Sequence, residues 1–521
     1  MQSFYVPWVG PDKFRVWVLI TILTVALFTC LLWIPVATCS ANDDSGVCAP
    51  AVYPPELPGL YTVGTPMWRT CQCNASVVVR TSANARTLSN TVFANGDLPP
   101  TPEARGLNAL TVSVLQFVLN DVSGPAWDGS TLYDIPIPSP DPFFATPANI
   151  SIPNWVTSPD GSWCPNPVMY TTPFIDLSNV YGVNGTALDL YLRAGRGGQM
   201  LVDAYDEALL PYAGAGSPFL LADPRDGYTA DLIALHTLLV LNHNSWAMRV
   251  STLHGEWTDD QLFWKARQLN VAEWQFILFH EWLPSLLGTQ APPPVSPFTT
   301  AETVTLAPAA VRLEVATVLV PALIDTLTPA TYGPLTWQAQ HGVVNAATVI
   351  QQAGSVTSML TALIKTPALA FDDRVINGRR NLYWNGTQPE DLVAEHVQRP
   401  RILRVPDWAA IYTCFGTQPI AGDPRDAYQG FLEEAIYPGS SIGLTAANLL
   451  GQELGRLRDA DPNFYHFQRK AIGQIYWKDL QHSNMRGLLS RNAALSYSDL
   501  GGAENVFFTP GARGPSQGGG K

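Results

Sequence analysis

Apolar and polar residues alternate along this chain in patterns that change with position, and each pattern predicts a different element. Near the N-terminus, Val16 to Thr38 is uncharged throughout (VWVLITILTVALFTCLLWIPVAT), preceded by Lys13 and Arg15 and carrying Trp17 and Trp33 near its ends. About twenty apolar residues cross a bilayer as a helix, and interfacial tryptophans with a basic cytosolic flank suit that role. Residues 16–38 are therefore expected to form a transmembrane signal anchor, with 1–15 in the cytosol; cleavage as a signal peptide is the alternative, because Ala37 to Ala41 are mostly small. The following 39–67, rich in Pro, Gly, Ser and Asp, reads as a stalk. Leu110 to Asp121 places apolar residues at helical spacing. Asp223-Pro224-Arg225-Asp226 and its near copy Asp423-Pro424-Arg425-Asp426 look like helix starts, an Asp cap followed by Pro in the first turn. The Gly-rich tail 511–521 is expected to be disordered.

Thr171 to Gly182 shows a third pattern. Thr172, Asp176 and Ser178 carry oxygens at even positions, with the carbonyl of Phe174 between them. In an extended segment these positions share one side and converge on one point. A hard cation such as Ca²⁺ takes six to eight oxygen ligands at about 2.3–2.6 Å, so a second carboxylate has to arrive from elsewhere. The same residues also suit a plain polar turn in which Asp176 caps a helix.

Composition sets the compartment more than the chemistry. The 521 residues are 46% hydrophobic and 14% charged, with a net charge of -13 and a pI near 5.0. So acidic a chain is no partner for nucleic acid, whose phosphates call for a basic surface. Sequons at Asn74, Asn149, Asn184 and Asn385 mark glycosylation sites and so an extracellular or luminal location. Well clear of the membrane run lie Cys48, Cys71, Cys73, Cys164 and Cys414, an odd number, so either Cys39 joins a pair or one thiol is free, and the pairing is left open. Cys71 and Cys73 are too close for an easy mutual bridge, and no zinc pattern is present.

The phrase F-I-D-L-S-N-V-Y-G, Phe174 to Gly182, closely resembles the F-x-D-x-S-x-V-Y-G signature of the animal haem peroxidase family. The resemblance extends from about Trp68 to Phe508. It includes Leu235-His236-Thr237-Leu238 with His243, Phe279 to Gly288, Met359 to Ala368, Leu449 to Tyr465, and Asn505-Val506-Phe507. It implies a mainly α fold, one large peroxidase-like helical domain over 68–510 on the N-terminal anchor. Leu115-Gln116-Phe117-Val118-Leu119-Asn120-Asp121 resembles the family's distal helix ending Q-F-x-D-H-D, whose last Asp binds calcium. Asp121 thus becomes the second carboxylate of a calcium site with Thr172, Phe174, Asp176 and Ser178. His236 and His243, seven residues apart on one helix face, are expected to be packed core residues, as in the family.

The haem site looks degenerate. Gln116 and Arg225 match family residues that face the haem, but Leu119 replaces an ester-forming acid and Asn120 the distal histidine. A carboxamide cannot cycle a proton as imidazole does, and Asn120 is expected to serve the helix end or a nearby backbone group. Tyr228 stands where some members carry an ester-forming Glu. On the proximal side Ala316 to Ile324 is the counterpart of the family's A-F-R-Y-G-H-T-L-I helix, with Pro321 in place of the axial histidine. Phe371 stands for the Asn that orients that histidine, and His341 falls too far downstream to keep the spacing. These losses point to a catalytically inactive, calcium-stabilised ectodomain, a membrane-anchored surface protein with a structural role or with a protein or glycan partner. The alternative is an active haem peroxidase that oxidises halide or phenolic donors with hydrogen peroxide.

Overall fold

The structure, a computed structural model, describes residues 64–512 apart from 72–82, 95–99, 159–163, 184–191, 204–208, 212–218, 299–309, 334, 337–349, 351–353, 385–386, 416–422, 424 and 503. The expected cytosolic segment, anchor and most of the stalk, the tail from 513, His341, and the sequons at Asn74, Asn184 and Asn385 lie outside the described residues. Among the described residues no helix is long and apolar enough to cross a membrane. Gly64 to Met67, at the end of the expected stalk, already belong to the fold: Gly64 N–H donates to Met169 O, Met67 N–H to Pro167 O, and Met67 is buried.

The principal helices are α1 (Ala85–Thr91), α2 (Ala109–Val122), α3 (Ala230–Leu253), α4 (Asp259–Ile277), α5 (Val320–Leu327), α6 (Val356–Lys365), α7 (Leu392–Ile402), α8 (Trp408–Cys414), α9 (Leu444–Ala460) and α10 (Met485–Asn492). Among them lie the antiparallel hairpins β1 (Trp127–Pro136) with β2 (Asn149–Trp155) and β3 (Leu382–Trp384) with β4 (Gln388–Glu390), besides a two-residue pairing of Thr331–Tyr332 with Leu335–Thr336. The molecule is thus mainly helical, and the core is helix on helix.

The hairpin α3–α4 forms the centre. α3 is buried nearly all round, so its apolar residues do not form a stripe but fill the interior on several sides. A short turn brings the chain back into α4, which opens on a capping box: Gln261 N–H donates to Thr258 Oγ1 and Thr258 N–H to Gln261 Oε1. Polar residues at the α3–α4 contact are paired with one another. Asn242 Nδ2 reaches Asn270 Oδ1 at 2.7 Å and Glu273 Oε2 at 2.9 Å. His243 lies between the Tyr181 hydroxyl (2.9 Å) and Gly198 O (2.8 Å), and burial pushes its pKa down to about 3, so it is a neutral core residue.

α2 packs against α3, α5 and α6, while α7 packs against α1, α5 and the π-helical turn Val315–Leu319 that leads into α5. At the end of α2, Gly124 permits a close approach. A Cβ there would meet Thr171 Cγ2 at 2.5 Å and the Tyr170 ring at 2.9 Å, and Tyr170 N–H donates to Gly124 O at 2.7 Å. Helix α2 is thereby sealed against the segment carrying the predicted cation ligands. Cys71 and Cys414 form a disulfide across a sequence separation of 343, tying the start of the domain to the end of α8, and Cys164 is also disulfide-bonded.

Candidate functional site

Asp121, on the last turn of α2, meets the Thr172–Ser178 segment inside the protein. Asp121 Oδ2 accepts from Leu177 N–H at 3.0 Å, and Oδ1 from Ser178 N–H at 2.7 Å and the Ser178 hydroxyl at 3.0 Å. Ser178 N–H is shared with Asp176 Oδ1 at 3.0 Å, and the Thr172 hydroxyl donates to the same oxygen at 2.9 Å. Leu177 takes the left-handed conformation (φ 57°), which turns two successive N–H groups onto the Asp121 carboxylate. Phe174 is buried in the same turn. Asp121, Thr172, Asp176 and Ser178 are therefore neighbours, although 56 residues separate Asp121 from Leu177.

The electrostatics of this cluster are unbalanced. Burial and the like charge of Asp176 push Asp121 well above the ordinary carboxylate range, and burial raises Asp176 as well. Asp461, after α9, adds a third carboxyl: burial, reinforced by Asp176, pushes its pKa up to about 8. Gln275 of α4 bridges the two regions, donating to Ile175 O at 2.7 Å and Asp461 Oδ2 at 3.4 Å. Arg267 sets one positive charge against Asp176. Buried carboxyls that outnumber the single guanidinium acting on Asp176 either keep their protons or take up a cation.

The distal remnants are engaged elsewhere. Asn120 Nδ2 donates to Asp226 Oδ1 at 2.9 Å, and Asp226 Oδ2 also accepts from Asn179 Nδ2 at 3.0 Å and pairs with His236 Nδ1 at 2.9 Å. Asn120 thus binds a buried side chain and not the helix end or backbone it was expected to serve; the helix is closed by Ser123. Arg225, just before α3, directs its guanidinium at Asp223 (Nη2 to Oδ2 2.6 Å), Asn120 O (2.6 Å) and Ser123 O (2.5 Å). It caps the carbonyl end of α2 as a cation should. Gln116 and Leu119 lie half-buried on α2.

On the proximal side Pro321 is buried in the first turn of α5, directly after the π-helical turn, and Phe371 is buried. One turn beyond Pro321, Asp325 is fully buried and has four bonds. Oδ1 takes Arg379 Nε at 2.7 Å and Nη2 at 2.6 Å, and Oδ2 takes His396 Nδ1 and the Tyr428 hydroxyl, each at 2.7 Å. Burial alone would raise this carboxyl, but His396 and Arg379 outweigh it and hold the pKa at about 2. No motif pointed to Asp325 or His396; they are 71 residues apart.

Of the four sequons, Asn149 is described and exposed at the start of β2, where its amide reaches Asp134 at 3.3 Å.

The family model of the animal haem peroxidase domain matches residues 65–422. This chain belongs to the animal haem peroxidase family. It is 24% identical over 400 residues to thyroid peroxidase of Sus scrofa (63% of this chain, 42% of that protein). To chorion peroxidase of Drosophila melanogaster it is 25% identical over 378 residues (62% and 46%). The chain spans less than half the length of these two relatives. Among solved structures, peroxidase A from Dictyostelium discoideum superposes with a TM-score of 0.72 at 18% identity, covering 86% of this chain and 96% of that one. A fatty acid alpha-dioxygenase from Oryza sativa gives 0.74 at 16% identity over 87% and 85%. At such identity these likenesses establish the fold.

Family membership implies haem and, typically, calcium, and the two fare differently against the residues present. For calcium the donor chemistry fits: two carboxylates and two hydroxyls converge in a buried place with surplus negative charge. Among the described residues no group of three or more His, Cys, Asp or Glu side chains gathers as a metal cage, so hydroxyl and carbonyl oxygens would have to complete the shell. For haem the positions matching the family's own ligands do not fit. Pro321 offers no lone pair, Asn120 is tied to Asp226, and Arg225 is occupied by carbonyls and Asp223.

Proposed function

We propose that this protein is a peroxidase-fold ectodomain without peroxidase turnover, braced by calcium and anchored at the membrane through residues 16–38. In this reading it is a surface protein with a structural role or with a protein or glycan partner. The observation that carries it is the 2.9 Å bond from Asn120 to buried Asp226. The residue at the position of the distal base is a carboxamide whose donor is committed to a carboxylate, so it can neither remove nor return a proton near neutral pH. Arg225, which would polarise a peroxide, instead closes the carbonyl end of α2.

Calcium bound by Asp121, Asp176, Thr172, Ser178 and the Phe174 carbonyl would supply charge balance to the buried carboxyls. It would hold α2 to the segment before Tyr181, a structural and not a chemical duty.

Turnover tests this directly. Protein purified in calcium and supplemented with haemin is expected to oxidise iodide or guaiacol with hydrogen peroxide no faster than haemin alone. A rate clearly above that background would establish the working-peroxidase alternative. Calcium is tested separately by unfolding: EGTA is expected to lower Tm, and added calcium to restore it with a concentration dependence set by its Kd. A Tm indifferent to both would dismiss the brace.

A further inference from the structure

We propose that the cleft between residues 289–298 and α9 binds a carboxylate-bearing sugar, a uronic or sialic acid at the end of a glycan, with Arg312 as the residue that holds the carboxylate. Such a ligand would be the glycan partner of the reading above, on which it rests only for an extracellular or luminal location; the absence of turnover stands or falls separately.

The cleft has a volume of about 720 Å³, within the range of small-ligand sites, and none of the distal or proximal remnants lines it. α9 forms one side. Gly451 and Gly455 let it close on the facing loop: a Cβ at Gly451 would meet Gln290 O at 2.6 Å, and one at Gly455 would meet Pro292 Cβ at 3.3 Å. Arg458 braces the same loop, its Nη1 donating to Pro293 O, while its Nε answers Asp459 at 2.7 Å.

Arg312 decides the charge of the ligand. Its backbone is fixed beside Trp68, whose N–H donates to Val311 O at 3.0 Å and whose carbonyl accepts from Leu313 N–H at 2.8 Å. The Arg312 side chain lines the cleft and is only 10% exposed. Its Nε has no hydrogen-bond partner, and Nη1 lies 3.0 Å from Glu453 Oε2 without an aligned bond. Glu453 is shared, because it also takes Arg456 Nη2 at 2.6 Å. Burial, opposed by Glu453 and reinforced by the like charge of Arg456, lowers the Arg312 pKa. A guanidinium keeps its charge even so, and a buried charged donor left unpaired is costly, so an arriving carboxylate gains a strong bond here.

The other lining residues decide the body of the ligand. Asn448 and Gln452 on α9, with Gln290 facing them, offer amide donors and acceptors suited to hydroxyl groups. Phe298 and Pro292 offer an apolar wall for the C–H face of a sugar ring. Trp68 has another duty: the guanidiniums of Arg312 and Arg456 each lie 5.0 Å from its ring centroid, which orients both. An aryl carboxylate would make no use of the amides.

The test titrates the full-length protein in calcium, by calorimetry, with methyl β-glucuronide and methyl α-sialoside; methyl glucoside, benzoate and sulfate are the controls. One of the acidic glycosides is expected to bind at least about ten-fold more tightly than any control. Arg312→Gln is expected to abolish that preference. Gln452→Ala and Phe298→Ala, both at exposed positions, are expected to weaken binding about three-fold or more with Tm unchanged. Failure of both acidic glycosides to bind would overturn the assignment, as would methyl glucoside binding equally well. So would benzoate or sulfate binding equally well, which marks an adventitious ion only, and so would an unchanged affinity in Arg312→Gln. If Arg312→Gln does not fold, unchanged affinity in both Gln452→Ala and Phe298→Ala overturns it instead.

Discussion

Asn120, Arg225 and Glu281 show that a residue's duty here depends on what faces it more than on its type. Glu281, in the π-helical turn after α4, accepts from Met485 N–H at 2.7 Å at the start of α10. Burial pushes its pKa up to about 7 from an ordinary 4.5. Its proton is held more tightly in the folded state, so the stability it contributes is complete below about pH 4.5 and is lost as pH rises through about 7. Glu281→Gln is expected to flatten the fall in Tm across that window, measured by thermal unfolding at a series of pH values; an unchanged slope would place the titration elsewhere. At this scale the cluster of oxygen donors was legible, because Thr172, Asp176 and Ser178 sit within seven positions and two of them, Asp176 and Ser178, fall in a family signature. Asp226, Asp325, His396 and Asp461 were not. Each acts through a partner far away in the chain, and nothing local distinguishes a buried Asp with four bonds from a solvated one.

Elements are joined by buried charge as much as by apolar contact. Arg86 on α1 is fully buried and reaches Asp141 at 2.8 Å, Asp391 at 2.7 Å and Arg380 O at 2.8 Å. It binds α1 to the loop after β1 and to Asp391, the N-cap of α7. Arg86→Ala leaves two carboxylates without their cation and is expected to cost about 3–5 kcal/mol, read as a loss of denaturant midpoint. A loss under about 1 kcal/mol would mean that water reaches the carboxylates and replaces the guanidinium. Helix periodicity alone was enough to predict α2, while the middle of α3 was read from its likeness to a family motif. The π-helical turns before α5 and after α4 were not legible, because the extra residue in such a turn is decided by packing and leaves no spacing in the apolar pattern.

Over the whole molecule, the 343-residue span closed by Cys71–Cys414 ties the first described segment to α8. Cys414→Ser is expected to lower stability by about 2–5 kcal/mol, chiefly by freeing the unfolded chain. Chemical denaturation of oxidised and reduced protein checks this, and coincident curves would show the bridge to be dispensable. The cysteine count alone left the pairing open, since sequence distance says nothing about which thiols meet in space. By itself the sequence determined the family, the helical class, the acidic character and the oxygen donors, because these rest on residue types and short spacings. Only the tertiary structure decided that Asp121 reaches Ser178, that Asn120 is spent on Asp226, and that Asp325 meets Arg379 and His396. A side chain's chemistry is set by the charges, donors and solvent around it, and folding brings those together from distant parts of the chain.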